Sequence, residues 1–255
     1  RPPVRAGGGR VPDGHVAPAA LTQAPSRRLY RDATGRTMSG MTDTLPPLPA
    51  AAAAQLDDQT VHVWHLGYRR AAGRLPLLRI LAAYLGVDAG ELQLTQDAHG
   101  RPRLDPRHGT ALDFNWSHSG DHALVAIARG IAPGVDVERR RARPRALALA
   151  RRFFDAAETA ALAALPVDAR DDAFLTLWTA KEALLKAHGR GIGYGLQRLR
   201  VAAPPQPLQL LRFDGEDVGA WQLQRLDLAP ELVAALAWRG SPRKVRAATL
   251  LADIE

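Results

Sequence analysis

Apolar and polar positions recur with two different periods along this chain, and the switches between them outline its elements. Thr60–Leu66 is a β-prone run with Val61, Val63 and Leu66 as apolar members. Leu75–Leu85 carries Leu78, Leu81 and Leu85 at helical spacing, with Pro76 in the first turn and Gly86 as a stop. Leu92–Leu94 reads as a short strand and Asp97–Gly100 as a turn. Leu112–Trp116 and Ala123–Ala128 read as strands on either side of a polar segment, Ser117–His122, and Gly134–Glu138 as a further strand. Helical patterns follow at Ala146–Arg152, at its continuation Asp155–Ala164 and at Asp171–His188. Three strands are predicted after them, Leu196–Val201, Leu208–Phe213 and Trp221–Leu226, with Val233–Trp238 as a fourth. Strands and helices mixed without regular βαβ alternation predict an α+β fold. The order strand, helix, strands occurs twice, over about residues 60–130 and 134–240, which hints at two similar halves.

Composition narrows the class. The chain has 255 residues, 46% hydrophobic and 24% charged, as in a soluble globular protein. Residues 1–55 are rich in Gly, Pro, Ala and Arg without periodicity and read as a disordered extension, within which Met38 and Met41 are alternative starts. The net charge is +8, but residues 1–40 hold seven arginines against two aspartates, so five of those charges lie there. The remainder is only mildly basic, which leaves little for a general nucleic-acid reading. There is no cysteine, which excludes disulfides and thiolate metal sites. No apolar run is long enough for a membrane span, and the Ala50–Ala54 run is too short for a secretory leader. A cytoplasmic monomer is the expectation.

Four constellations could carry chemistry. On a strand, Asp136 and Glu138 of Gly134-Val135-Asp136-Val137-Glu138 project from one face while Val135 and Val137 face the other. Two converging carboxylates suit Mg²⁺, which takes oxygen ligands and completes its shell with water and substrate phosphates. A solvated strand face is the other reading. On a helix, Trp178, Glu182 and Lys186 recur every four residues, a pattern that also serves as surface decoration. Phe114-Asn115-Trp116-Ser117-His118-Ser119 offers hydroxyls and an imidazole at a strand end, better suited to gripping phosphate than to a hydrolase triad. Gly189, Gly191, Gly193 and Gly195 match no phosphate-loop pattern and are explained by helix termination and a tight turn.

Taken in order, these segments resemble the 4′-phosphopantetheinyl transferase superfamily over about residues 69–195. Gly100-Arg101-Pro102 is similar to the family's Gly-Lys-Pro turn, and Phe114–Ser119 to its Phe-Asn-x-Ser-His-Ser strand end. Gly134–Glu138 resembles its Gly-[Ile/Val]-Asp-x-Glu motif, and Arg152-Phe153-Phe154 with Glu158 its Arg-Phe-Phe…Glu run. Trp178–Lys186 resembles Trp-[Ser/Thr]-x-Lys-Glu-x-x-x-Lys, extended by Gly189-Arg190-Gly191. The resemblance implies two pseudo-symmetric α/β lobes, residues 56–133 and 134–255, with the active site in the cleft between them. It implies transfer of phosphopantetheine from coenzyme A to a serine of an acidic acyl or peptidyl carrier protein. Asp136, Glu138 and Glu182 would hold Mg²⁺, Glu182 would also take the serine proton, and Lys186 would offset pyrophosphate charge. Ser117 and His118 would grip phosphate oxygens, Arg101 and Pro102 would lie beside the adenine, and Arg69 would meet the 3′-phosphate. A Mg²⁺-dependent phosphoesterase using the same carboxylates is the rival enzyme. A basic nucleic-acid-binding module is the rival of another class.

Overall fold

A computed structural model describes residues 30–31, 37–38, 43–46 and 48–250. Within residues 1–40, β1 (Tyr30–Arg31) pairs antiparallel with β2 (Thr37–Met38). The rest of the expected disordered extension up to residue 42 lies outside the described residues. Order nevertheless starts before residue 55. β3 (Asp43–Thr44) is a strand and α1 (Pro49–Ala53) a short helix, with Leu45 and Ala52 buried in the core.

Residues 41–255 form one compact unit. β4 (Thr60–Gly67) and α2 (Leu75–Leu85) stand where the periodicity puts them. Pro76 occupies the first turn of α2, and Gly86 closes it at a φ of 68°, which favours glycine. The short strand expected at Leu92–Leu94 lies two residues later, as β5 (Leu94–Gln96), pairing with β6 (Pro102–Leu104). β7 (Leu112–Ser119) and β8 (His122–Arg129) form a hairpin turned at Gly120-Asp121. The segment expected to be a polar connection is therefore mostly strand. The ladder continues as far as the Ser119–His122 pair, and the hydroxyls of Ser117 and Ser119 have partners waiting on β9, at Asp136 and Glu138.

β9 (Gly134–Arg139) begins the second half, followed by α3 (Ala146–Phe153), α4 (Ala156–Ala164) and α5 (Val167–His188). α5 starts four residues earlier than its apolar stripe suggests, because Pro166 stands as its N-cap. β10 (Leu199–Val201) and β11 (Leu210–Phe213) make a small antiparallel pair. β12 (Trp221–Leu226), β13 (Leu232–Arg239) and β14 (Lys244–Leu250) complete the chain.

Two sheets result, one in the order β3-β14-β4-β8-β7 and one in the order β12-β13-β9. A shared order runs through both, β4-β8-β7 in the first and β9-β13-β12 in the second: an opening strand pairs antiparallel with the later strand of a hairpin. Central strands β8 and β13 are buried on both faces, which is why their sequences are near-continuous apolar runs. One core lies between α1, α2 and the first sheet, another between α3, α4, α5 and the second. A third joins the sheets through Val61, Val63, Leu124, Val135, Val137, Leu236 and Trp238. β9 therefore turns Val135 and Val137 towards the first sheet and Asp136 towards α5.

β14 is absent from the sequence reading. Lys244-Val245-Arg246-Ala247-Ala248-Thr249-Leu250 buries only Val245 and has no alternation to betray it. It earns strand character from pairing parallel to β4, nearly two hundred residues upstream in the ladder Lys244↔Thr60 to Leu250↔Leu66.

One buried ion pair fixes α5 against the small β10/β11 pair. Lys181 is fully buried, and its Nζ donates to Leu196 O at 2.9 Å and Leu199 O at 2.7 Å and lies 2.5 Å from Glu158 Oε2. The other oxygen of Glu158 accepts from Val201 N at 2.7 Å. Glu158 also completes the capping box of α4 with Asp155. Burial pushes the Glu158 carboxyl up and the Lys181 ammonium down, and their mutual attraction opposes both shifts. Removing one member strands the other charge. Lys181→Met is expected to destabilise by about 3–5 kcal/mol in urea unfolding, and adding Glu158→Gln to recover more than half of that.

Candidate active site

Gly134 explains how a strand and a helix come close enough to share a site. A Cβ at this position would lie 2.1 Å from Ala183 O and 2.4 Å from Ala187 N, both backbone atoms of α5. Only glycine lets β9 rest this tightly on the helix. The cross-strand neighbours on that face, Ala235 and Ala237, are small as well. Two residues along, Asp136 faces α5 where Glu182 and Lys186, one turn apart, face back.

Asp136 is 6% exposed and Glu182 5%. Lys186 Nζ donates to Asp136 Oδ1 at 2.7 Å, to Val135 O at 3.1 Å and to Ser117 Oγ at 3.1 Å. Ser117 Oγ in turn donates to Asp136 Oδ1 at 2.7 Å. Both bonds to the Asp136 carboxylate fall on Oδ1. Asp136 Oδ2 and Glu182 Oε1 are buried without any hydrogen-bond partner. Burial, then the charge of Asp136, push the Glu182 carboxyl up to about 7, with Glu138 adding to the rise and Lys186 opposing it.

Glu138 stands apart from this pair. Its Oε2 accepts from Ser119 Oγ at 3.0 Å and from the Arg143 guanidinium at 2.8 Å. Among the described residues, no three His, Asp or Glu side chains are gathered as a metal-holding group. The expected cage of three carboxylates is thus two inward-facing carboxylates and a third drawn aside by an arginine. Two carboxylates with unpartnered oxygens still match the demands of Mg²⁺, which commonly takes one or two from the protein and the rest from water and phosphate.

The remaining candidates divide by strand parity. β7 turns Asn115, Ser117 and Ser119 towards β9, and these three side chains join two sheets that share no backbone ladder there. Asn115 Oδ1 accepts from Val135 N at 2.8 Å, Ser117 meets Asp136, and Ser119 meets Glu138. From the sequence, Asn115 and Ser119 stand only as members of the Phe114–Ser119 motif, without a role of their own at the site, and Arg143 has no place in it. Spacing of two along a strand was the signal for the first two, while Arg143 gave none. His118 lies on the opposite face of β7 from Ser117, so the two do not line one wall. The His118 ring is exposed and stacks on Tyr68 with centroids 4.8 Å apart, and Trp116 meets Tyr68 edge-on at 5.4 Å. Arg69 is the next residue after Tyr68 and is exposed, and Pro102 is half-buried on β6. Arg101 departs from expectation. Its side chain points inward, 7% exposed, with its guanidinium committed to protein acceptors instead of lying open beside a nucleobase.

Comparison with known proteins decides the family. Residues 132–237 match the model of the 4′-phosphopantetheinyl transferase superfamily. HetI of Nostoc sp., named a 4′-phosphopantetheinyl transferase, is 38% identical over 176 residues, 68% of this chain and 71% of its own length. The chain belongs to the 4′-phosphopantetheinyl transferase superfamily. The putative 4′-phosphopantetheinyl transferase slr0495 of Synechocystis sp. is 36% identical over 152 residues, 59% of this chain and 61% of its own. The human L-aminoadipate-semialdehyde dehydrogenase-phosphopantetheinyl transferase is 27% identical over 185 residues, 66% of this chain and 60% of its own. In this superfamily member the matched region runs from the entry of β9 into β13, so it holds Asp136, Glu138, Glu182 and Lys186 together. It leaves out Arg69, Arg101, Pro102, Ser117 and His118, which lie in the first half of the chain. None of the described helices is long and apolar enough to cross a membrane.

Proposed function

We propose that this enzyme moves the 4′-phosphopantetheine arm of coenzyme A onto a serine hydroxyl of an apo carrier protein and releases 3′,5′-ADP. The observation that carries this reading is the meeting of Asp136 and Glu182, two buried carboxylates each with an unpartnered oxygen, beside the Lys186 ammonium. Mg²⁺ held by those oxygens, with Glu138 joining once it parts from Arg143, would neutralise the non-bridging oxygens of the diphosphate.

What the chain's own groups do follows from their placement. Glu182, buried with Oε1 unpartnered, is placed to accept the serine proton as the serine oxygen bonds to the β-phosphorus. The bond from that phosphorus to the bridging oxygen breaks, and 3′,5′-ADP departs with the electron pair. Such transfers need alignment and charge stabilisation more than covalent chemistry. Lys186 and Ser117 supply alignment by holding Asp136 through one oxygen and leaving the other free. His118, stacked on Tyr68, and Arg69, next to Tyr68 in the chain, form the polar edge for the 3′-phosphate, with Pro102 beside the base.

The same strand order in both halves supports a reading as two related lobes, 56–133 and 134–255, with β14 of the second returning to the sheet of the first and the substrate lying across the β7–β9 junction. Exposed Arg151 and Arg152 on α3 lie on the side we assign to an acidic carrier.

Incubation with coenzyme A, Mg²⁺ and a panel of apo carrier proteins tests the proposal by mass spectrometry. The expected result is a gain of one phosphopantetheine on a carrier, lost on chelation. Release of 3′,5′-ADP with every carrier unmodified would instead favour a hydrolase.

A further inference from the structure

Arg101 is the one strongly buried arginine at the junction of the three elements that carry the site. One of its terminal nitrogens donates to Phe114 O at 2.9 Å and Pro133 O at 2.8 Å and lies 3.2 Å from Asp113 Oδ1. The other donates to Lys186 O. Each acceptor has a meaning. Phe114 precedes Asn115, which takes Val135 N. Pro133 precedes Gly134, the point of tightest approach to α5. Lys186 is the residue whose ammonium holds Asp136. The guanidinium thus staples β7, the entry of β9 and the last turn of α5 to one another, directly behind the carboxylates.

We infer that Arg101 is a positioning residue, which sets the distance between the β9 and α5 sides of the site and makes no contact with coenzyme A through its side chain. A planar fork with five donors can serve several carbonyls and a carboxylate at once, whereas an ammonium at the same place is a single point of charge on a shorter reach. Burial lowers the affinity of Arg101 for its proton, and Asp113 opposes that, so the guanidinium stays charged at its post. A small error in the separation of aligned groups is costly to transfer chemistry, which is why a residue that touches no substrate can govern turnover.

The inference concerns the fold of the site and rests on the proposed reaction only in its kinetic test. Arg101→Lys and Arg101→Gln are compared with the natural chain. By hydrogen exchange on the free proteins, amides of residues 134–137 and 185–189 are expected to exchange about tenfold faster in both variants, with β4 and β8 unchanged. Protection equal to that of the natural chain would overturn the staple. Kinetically, kcat for carrier modification is expected to fall about tenfold or more in Arg101→Gln while KM for coenzyme A stays within about twofold, with a smaller fall in Arg101→Lys. A large rise in KM with kcat kept would show a ligand contact and overturn the inference. A natural chain that modifies no carrier would sink the proposed function, and hydrogen exchange would still decide the staple. If neither variant folds, Asp113→Asn removes a single acceptor, with Arg103→Gln as control because Asp113 also pairs with Arg103. A kcat lowered about threefold at constant KM is then expected for Asp113→Asn alone, and an unchanged kcat would count against the inference.

Discussion

Glu182→Gln is expected to lower carrier modification by about 10³-fold or more, while making the metal-free protein more stable at pH 8. The two effects have one origin. Glu182 is buried beside Asp136 without a partner for Oε1, and its carboxyl stands near 7 in the folded chain instead of 4.5. A carboxyl raised on folding contributes no penalty below pH 4.5, where it is protonated in both states. Its cost grows as pH rises through 7 and is complete above that. Gln has the same shape and no charge, so it escapes the penalty, which is on the order of 3 kcal/mol at pH 8. Thermal unfolding in chelator across pH 4.5 to 8.5 measures this. The gap between variant and natural chain should open with rising pH. A gap that is constant with pH, or one that favours Glu182 at pH 8, would show that its carboxyl is not strained. Retention of near-normal turnover would remove it from the chemistry.

Gly134→Ala is the second large effect, and it acts on the frame of the site instead of its charges. The added carbon would sit 2.1 Å from Ala183 O and 2.4 Å from Ala187 N. Neither is the end of a flexible side chain, so α5 or β9 must move. Overpacking of this kind costs about 1–3 kcal/mol in an adaptable core, and backbone on both sides puts this case at the upper end or beyond. A fall in Tm of about 8 °C or more is expected, with loss of carrier modification in whatever folded protein remains. Since Ala183 and Ala187 are already small and the clash is with their backbone, no truncation across the contact should rescue the variant. Near-normal stability would mean that β9 and α5 can part without harm, and that their close approach is not what sets the site.

Much of the site was legible in the sequence because it depends on local spacing. Residues two apart on a strand and four apart on a helix share a face whatever the tertiary fold, so Asp136 and the Glu182–Lys186 turn could be read directly. Glu138 shows the limit of that rule. It has the right parity, but Arg143, brought round by the connection to α3, draws its carboxylate aside. Ser117 and His118 were read as one grip because they are neighbours, yet strand parity sends them to opposite faces. Arg101 illustrates another gap. A motif places a basic residue in a turn, but the carbonyls that claim it come from β7, β9 and α5, and nothing local predicts them. For the fold, β4, α2 and β12 follow their patterns closely: α2 buries one face, and β4 sits between two cores with all but its last residue buried. β14 does not, because a strand held by long-range parallel pairing needs little hydrophobic pattern of its own.

That last strand bears on how the protein is made. β14 fills the place between β3 and β4. While the chain is being synthesised, β4 has one flank open until residues 244–250 have emerged, long after β7 and β8 could close the other. An open flank on a buried, apolar strand is an invitation to pair with a stranger. Expression of the first half alone should therefore give aggregates, and a stop codon placed before Lys244 should harm the sheet at the opposite end of the sequence more than the carboxylates nearby.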